Sequence, residues 1–199
     1  MNANRILENI TVASLEKCVG RLSKVSAGRW SLADVSVSRG VLSDMSFERR
    51  SGESGAAVYF EISGDCPFTA MIIFQAADIK PISKCFLGFA FKGLADANQS
   101  AQLLISELGN IILNSFIGSL SNALKRSFIP SAPKCLTGEP RFLLEALAAF
   151  LGKEQKYSLV SVMLDLQCDH IVTRAEVVGI IPEKLEAELK KSVGDGEKI

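Results

Sequence analysis

The chain has 199 residues and a mass of 21.4 kDa, which suits one domain or two closely packed halves. Lys and Arg together number 22 and so do Asp and Glu, so the formal net charge is zero. This balance argues against nucleic acid or an anionic membrane as a partner, because both attract proteins with a positive field. A single histidine argues against a His-ligated metal site and a His-based catalytic triad.

The five cysteines lie far apart in the sequence and form no CxxC pair, so the spacing of a zinc site is absent. We expect each to act as a small buried apolar residue in a reducing cytoplasm. The amino terminus lacks the apolar segment of a secretion signal, and no uninterrupted apolar run approaches the roughly 18 residues of a membrane span. The sequence therefore predicts a cytoplasmic protein.

Apolar periodicity and turn residues predict the elements of the first half. In chain order they are a helix from Ile6 to Val25, a strand over 32–38, a solvated loop over 48–55, hairpin strands over 57–62 and 68–74, and a buried helix over 78–91 with Pro81 in its first turn.

The second half repeats this order. It is predicted to contain a long helix over 96–127, an extended segment over 128–135, an apolar helix over 140–151, hairpin strands over 157–168 and 171–181, a helix over 183–192 and a frayed tail over 194–199.

The shared order of elements predicts two copies of one unit, residues 5–75 and 98–181, within a single domain spanning 1–199. We therefore expect an α/β (α+β) fold. One antiparallel-rich sheet of about six strands would carry two long helices on one face. The oligomeric state stays open between a monomer and a homodimer, because an exposed sheet edge can pair two chains.

Polar side chains interrupt the long apolar helix of the second half. The chain has no P-loop, GxGxxG, GxSxG or HExxH motif, so this cluster is its main chemical signal. Glu107 and Asn110 are three residues apart and project from one helix face, which Asn114 extends by another turn. Gly109, between them, suits a close approach to the paired helix or to a partner protein. Taken alone, the cluster is more typical of an ordinary solvated helix face than of a functional site.

The segment from Ser106, SELGNIILNSFIGSLS, resembles the chemotaxis phosphatase family of CheC, CheX and FliY. The family signature is Asp or Ser, three residues, Glu, two residues, Asn, twenty-two residues and Pro. Glu107, Asn110 and Pro133 match its last three positions at the required spacing. The first position falls on Leu103, which departs from the signature. In the first-half helix neither Glu16 nor Glu8 is followed by Asn at the right distance, so the chain is expected to keep at most one active face.

The resemblance implies hydrolysis of the aspartyl phosphate on a response regulator such as CheY. Asn110 would orient the attacking water, Glu107 would pair with a lysine of the partner, and Pro133 would shape the segment that supports the helix. The protein would need no cofactor or metal of its own, because the phosphorylated partner supplies Mg²⁺. A chemotaxis deamidase or a flagellar-switch protein is a further partner that the resemblance allows.

Two alternatives stay open. The loss of Asp or Ser at Leu103 and the degenerate first half favour a non-catalytic adaptor that binds a response regulator or another chemotaxis or flagellar-switch partner. In the second alternative, the protein is an unrelated α/β protein and its Glu-x-x-Asn pattern is a coincidence. A fold without paired central helices would indicate this alternative.

Overall fold

The fold is a single seven-stranded sheet with helices, seen in a computed structural model that describes residues 3–41, 54–87, 97–139, 142–143, 145 and 156–196. The strands are β1 (Arg29–Val41), β2 (Gly55–Ser63), β3 (Phe68–Gln75), β4 (Ile129–Pro130), β5 (Lys134–Gly138), β6 (Lys156–Cys168) and β7 (Ile171–Pro182). The helices with bounds in these ranges are α1 (Ala3–Val25), α2 (Ala76–Leu87), α3 (Ala97–Leu124) and α4 (Glu183–Gly196).

The sheet has the order β1-β6-β7-β3-β2-β4, and β5 also pairs with β2. Every pairing among these strands is antiparallel. The α+β class and the antiparallel sheet are confirmed. The sheet has seven strands rather than about six, because the proline-containing extended segment forms two short strands, β4 and β5, along β2. Without β4, the strand order is β1-β6-β7-β3-β2-β5. If β1, β2 and β3 are exchanged with β5, β6 and β7 respectively, the same order results, read from the opposite edge of the sheet. The internal repeat itself stays a prediction.

The main core lies between one face of the sheet and the helices. Alternate residues of the strands point to opposite faces, so each strand contributes to two layers. On the helix side, Phe60, Phe74 and Val162 pack in one cluster with Leu15 of α1 and Phe116 of α3. On the opposite side, a smaller cluster contains Tyr59, Met71, Leu143, Tyr157, Val178 and Ile180.

Helices α1 and α3 pack against each other above the sheet. The hydroxyl of Ser14 in α1 donates a 2.7 Å hydrogen bond to the backbone carbonyl of Ser115 in α3. Both helices share the main core cluster, so the paired central helices expected from the resemblance are present.

The ends of three helices differ from the prediction. Helix α2 begins at Ala76, so Pro81 lies in its second turn rather than its first. Helix α3 ends at Leu124 because Lys125 adopts a left-handed conformation (φ 53°). The N–H of Arg126 then bonds to the carbonyl of Ser121, and that of Lys125 to Asn122. Helix α4 continues to Gly196, so part of the predicted frayed tail is helical.

Several predictions lie partly outside the described residues: most of the loop over 48–55, the end of the helix over 78–91, and most of the helix over 140–151. Within the last segment, Leu143 is buried whereas Phe142 is 57% exposed. The interpretation of every cysteine as a buried residue was also wrong. Cys135 is exposed and Cys168 is half-buried, because both lie on strand positions at the margin of the sheet.

Within the described residues, one helix segment is long and apolar enough to cross a membrane by composition. It is Gln99–Leu124 of α3, with a mean hydropathy of 1.4, and 44% of its apolar window is buried inside the fold. Core helices of folded domains have the same length and composition, and α3 packs along the sheet.

Candidate docking and catalytic face on helix α3

The three polar residues singled out in the sequence lie on α3, on the side away from its buried stripe. Glu107 and Asn114 are exposed and Asn110 is half-buried. Leu108, Ile112 and the other buried positions of the helix face the sheet, because apolar residues recur at helical spacing. Glu107, Asn110 and Asn114 therefore follow one another over about two turns as a polar row that solvent or a partner protein can reach.

Asn114 fixes the side-chain amide of Asn110. Its Nδ2 donates a 2.7 Å hydrogen bond to Oδ1 of Asn110 and a 2.9 Å hydrogen bond to the backbone carbonyl of the same residue. Because Oδ1 of Asn110 accepts this hydrogen bond, its amide has a defined orientation with Nδ2 as the outward donor. One lone pair of Oδ1 is still available to accept a further hydrogen bond.

Gly109 marks the place where α3 approaches the sheet most closely. A Cβ atom on Gly109 would lie 2.6 Å from Cβ of Val58 and within 3 Å of both of its methyl groups. The glycine is therefore required by contact with strand β2. The predicted close approach at Gly109 is therefore present, and strand β2 rather than the paired helix makes it.

Pro133 lies outside the polar row, immediately before β5, and is exposed. Strand β5 places Cys135 opposite Val58 of β2. Val58 in turn contacts Gly109, which lies next to Asn110 in α3. The structure thus connects Pro133 to the polar row through the edge strand and β2, whereas it brings Glu107, Asn110 and Asn114 together directly.

Leu103 occupies the position where the family signature has Asp or Ser. It lies one turn before Glu107 on the same helix face, and 66% of it is exposed. Leu103 also lines a groove of about 510 Å³ between α3, β2 and β5. The other lining residues are uncharged; they are Ala56, Ala57, Val58, Ile79, Gln99, Gln102, Ile105, Ser106, Cys135, Leu136 and Thr137.

The electrostatics of this face are simple. Among the residues that the structure describes, Glu107 has no ion-pair partner, so its carboxylate is open to a cation from outside. The same described ranges contain no group of three or more His, Cys, Asp or Glu side chains that could hold a metal ion. The face offers a carboxylate, two carboxamides and an apolar groove, a set that can bind a partner and orient a water.

The sequence comparison of the two helices missed a better alignment. Ser14 and Ser115 meet where α1 and α3 cross. If these two serines are aligned, Asn9 and Asn110 are also aligned, because each lies five residues before its serine. The surrounding segments are similar: residues 7–15 read LENITVASL and residues 108–116 read LGNIILNSF. Asn9 is exposed, but the residue aligned with Glu107 is the buried Ile6. The first half therefore has the carboxamide without the carboxylate, and a comparison anchored on serine rather than on glutamate would have found it.

Known structures share this architecture. The chain superposes on FliY from Thermotoga maritima with a TM-score of 0.70, at 11% sequence identity, over 97% of this chain and 96% of that one. The fold is that of the CheC, CheX and FliY proteins. This CheC-like fold also matches the FliM middle domain from H. pylori, with a TM-score of 0.64 at 12% identity, over 94% and 97% of the two chains.

A third structure with the CheC-like fold comes from a complex of two chemotaxis proteins. It is a chain of the CheX–CheY–BeF3–Mg²⁺ complex from Borrelia burgdorferi, with a TM-score of 0.50 at 15% identity, over 92% of this chain and 99% of that one. No protein-family model matches the sequence, and a search of curated proteins finds no significant match. At these identities the likeness concerns the fold.

Proposed function

We propose that this protein docks the receiver domain of a phosphorylated CheY-type response regulator on α3 and hydrolyses its aspartyl phosphate. The observation that carries the proposal is the polar row. Glu107 and Asn110 project from a helix that Gly109 holds against the sheet, and Asn114 fixes the amide of Asn110. The spacing of this pair also supports the activity, and the CheC-like fold is compatible with it. The protein would act in the cytoplasm.

The reaction requires few groups from the phosphatase itself. Hydrolysis requires a water to attack phosphorus in line with the departing aspartyl oxygen: a P–O bond forms to the water and the bond to the carboxylate breaks. The partner carries the phosphoryl group and would supply the Mg²⁺ that neutralises the developing charge. The phosphatase needs only to place the water, and orientation of this kind supplies roughly 10²-fold or more in rate.

Asn110 has the groups for that task. Its Nδ2 can donate a hydrogen bond to the oxygen of the attacking water, and the second lone pair of Oδ1 can accept a hydrogen bond from the same water. Two hydrogen bonds to one water fix its direction as well as its position. Because Asn114 holds Oδ1, the amide pays little rotational entropy when the partner docks.

Glu107 sets the register of the complex. An exposed carboxylate one helical turn from Asn110 suits a lysine of the partner's phosphorylation site, and this pair becomes desolvated once the surfaces meet. Leu103 and the uncharged groove beside it bind an apolar part of the partner's surface. Specificity would come from the groove and rate from Asn110.

The alternative is an adaptor that binds the regulator without hydrolysing its phosphate. An exposed leucine at the first signature position favours it, because Leu103 supplies binding area and no polar group for the reaction. The likeness to the FliM middle domain also favours it. In an adaptor the same face docks the regulator, or a flagellar-switch or deamidase partner, and the lifetime of the phosphoryl group is unchanged.

The test is the decay of a phosphorylated CheY-type regulator with and without this protein and its Asn110→Ala variant. Accelerated decay that Asn110→Ala reduces by about 10²-fold, with binding retained, is the expected result. Asn122→Ala, an exposed asparagine near the end of the same helix, is the matched control and should keep full activity. Binding to cognate regulators without any acceleration would replace the phosphatase with the adaptor, and the absence of binding would refute both.

A further inference from the structure

Two cysteines that are distant in sequence meet at one end of the sheet. Cys85 lies in the last turn of α2, and Cys168 is the final residue of β6, next to the tight turn to β7. Their thiols lie close enough together for Cys168 to raise the pKa of the Cys85 thiol. Both also belong to the packing of the main core, Cys85 as a buried member and Cys168 as a half-buried neighbour. Neither residue takes part in the face on α3.

The backbone around Cys85 fixes its position. The N–H of Ala27 donates a 2.9 Å hydrogen bond to the carbonyl of Cys85. The sulfur lies against Gly28, where an added Cβ would be 2.6 Å from Sγ of Cys85 and 2.6 Å from Cδ1 of Leu166. Gly28 thus leaves the space that lets the Cys85 sulfur reach the end of β6, two residues beyond Leu166.

Helix α2 is held to the same hairpin at its other end. The backbone N–H of Arg174 in β7 donates a 2.9 Å hydrogen bond to the Asp78 carboxylate in α2. Helix α2 is therefore secured beside the hairpin in its first turn, while Cys85 in its last turn lies against the end of β6 that carries Cys168.

We propose that Cys85 and Cys168 form a reversible disulfide, a redox modification site that joins α2 to the β6–β7 hairpin. The oxidant is a peroxide, which reaches the half-buried Cys168 first. In this step the peroxide O–O bond breaks, Cys168 becomes a sulfenic acid and one oxygen leaves as water. The sulfur of Cys85 then attacks the sulfenic sulfur, the S–S bond forms, the S–O bond breaks and the hydroxyl leaves as water with the Cys85 proton. Two thiols and one peroxide thus give one disulfide and two waters.

The two cysteines have different roles in this sequence. Burial raises the pKa of the Cys85 thiol to about 12, and the neighbouring Cys168 adds to the shift. Cys85 is consequently protonated at neutral pH and unreactive toward the oxidant on its own, because the thiolate is the nucleophile. It acts as the resolving cysteine because the oxidised Cys168 beside it carries the hydroxyl group that takes up the Cys85 proton as the S–S bond forms.

The site can be tested on the full chain. The reduced protein is treated with hydrogen peroxide, its remaining thiols are alkylated, and intact mass and peptide mapping are recorded. We expect the five titratable thiols to fall by two, a peptide pair linked through Cys85 and Cys168, and recovery of both thiols on reduction. The melting temperature should rise by about 5–10 °C in the oxidised protein, because the bond closes a long loop of the unfolded chain.

Two variants separate this site from general thiol oxidation. Cys85→Ser should leave Cys168 to proceed to the sulfinic acid with no internal disulfide. Cys135→Ser removes the most exposed thiol and should still form the disulfide. A disulfide between any other two cysteines, a link between chains, or an unchanged count of the thiols at Cys85 and Cys168 would overturn the proposal. None of these readouts depends on phosphatase activity.

Discussion

Gly109 in α3 rests directly on Val58 in β2, at the helical step between Glu107 and Asn110. The polar row is thus presented by a helix in close contact with the sheet. Movement toward the sheet would make the helix clash with Val58, and movement away would break the contact. Positioning a water to within a fraction of an ångström requires a rigid support of this kind. The glycine is a structural part of the site although it contributes no polar group.

Replacing Gly109 with alanine should therefore destabilise the protein. The new methyl group meets the Val58 side chain at 2.6 Å, and overpacking of this kind costs about 1–3 kcal/mol. Better helix propensity returns about 1 kcal/mol, so we expect a net loss of up to about 2 kcal/mol in the free energy of unfolding, measured with urea.

Gly118→Ala in the same helix is the matched control, because nothing lies within 4 Å of its added Cβ. It should stabilise the protein by up to about 1 kcal/mol. In a double-mutant cycle, Val58→Ala should cost less stability in the Gly109→Ala background than in the wild type, since the added methyl group fills part of the space that the buried Val58 leaves. Equal effects of Gly109→Ala and Gly118→Ala would contradict the tight contact.

Asn114 should act as a positioning residue for Asn110. Asn114→Ala removes one hydrogen bond to Oδ1 of Asn110, worth about 1 kcal/mol, so kcat should fall about 5-fold with KM unchanged. Asn114→Asp keeps the size but loses the donor and adds a negative charge near the phosphoryl group, so its loss should be larger. The measurement is the steady-state hydrolysis of the phosphorylated regulator. An increase in KM at constant kcat would instead assign Asn114 to docking.

Glu107 should affect binding in a salt-dependent way. Glu107→Gln keeps the shape and removes the charge, so affinity for the regulator should fall about 10-fold at low ionic strength. The difference should shrink as salt is raised, because screening weakens the ion pair in the wild-type complex. Titration calorimetry at two salt concentrations measures both effects. Glu16→Gln, at an exposed glutamate of α1, should change neither; a salt-independent loss at Glu107 would exclude the charge as the cause.

A buried carboxylate holds α4 to the edge of the sheet. Glu186 is only 3% exposed, and its oxygens accept hydrogen bonds from the Arg39 guanidinium of β1 and the Ser158 hydroxyl of β6. Arg39→Met should cost about 1–3 kcal/mol in the free energy of unfolding, because it leaves a buried negative charge without its cation, although the Arg39 side chain itself is 44% exposed.

Arg174→Met provides the comparison for that prediction. Arg174 pairs with Asp165 at 3.2 Å, but its side chain is 62% exposed, and exposed pairs contribute at most about 1 kcal/mol. Chemical unfolding of the two variants under the same conditions measures the difference. Similar small losses for Arg39→Met and Arg174→Met would mean that solvent reaches Glu186.

The sequence by itself determined the order and type of nearly all the described elements. Helical and alternating periodicity are local properties, so α1, α3 and the two hairpins could be read from short windows. It also placed Glu107, Asn110 and Asn114 on one face of α3, because residues three and four apart on a helix are neighbours whatever the rest of the chain does. The seventh strand was missed because β4 and β5 are too short to show a period.

Only the tertiary structure decided what these residues touch. Val58 beneath Gly109, Cys85 beside Cys168 and Arg39 on Glu186 are pairs of residues far apart in the chain. Which residues meet depends on strand order and register, and the local pattern of one sequence specifies neither. For the same reason the sequence suggested the paired helix or a partner protein for the contact at Gly109 and predicted that every cysteine is buried. In the structure, the sheet provides the contact at Gly109, and Cys135 is exposed at the sheet edge.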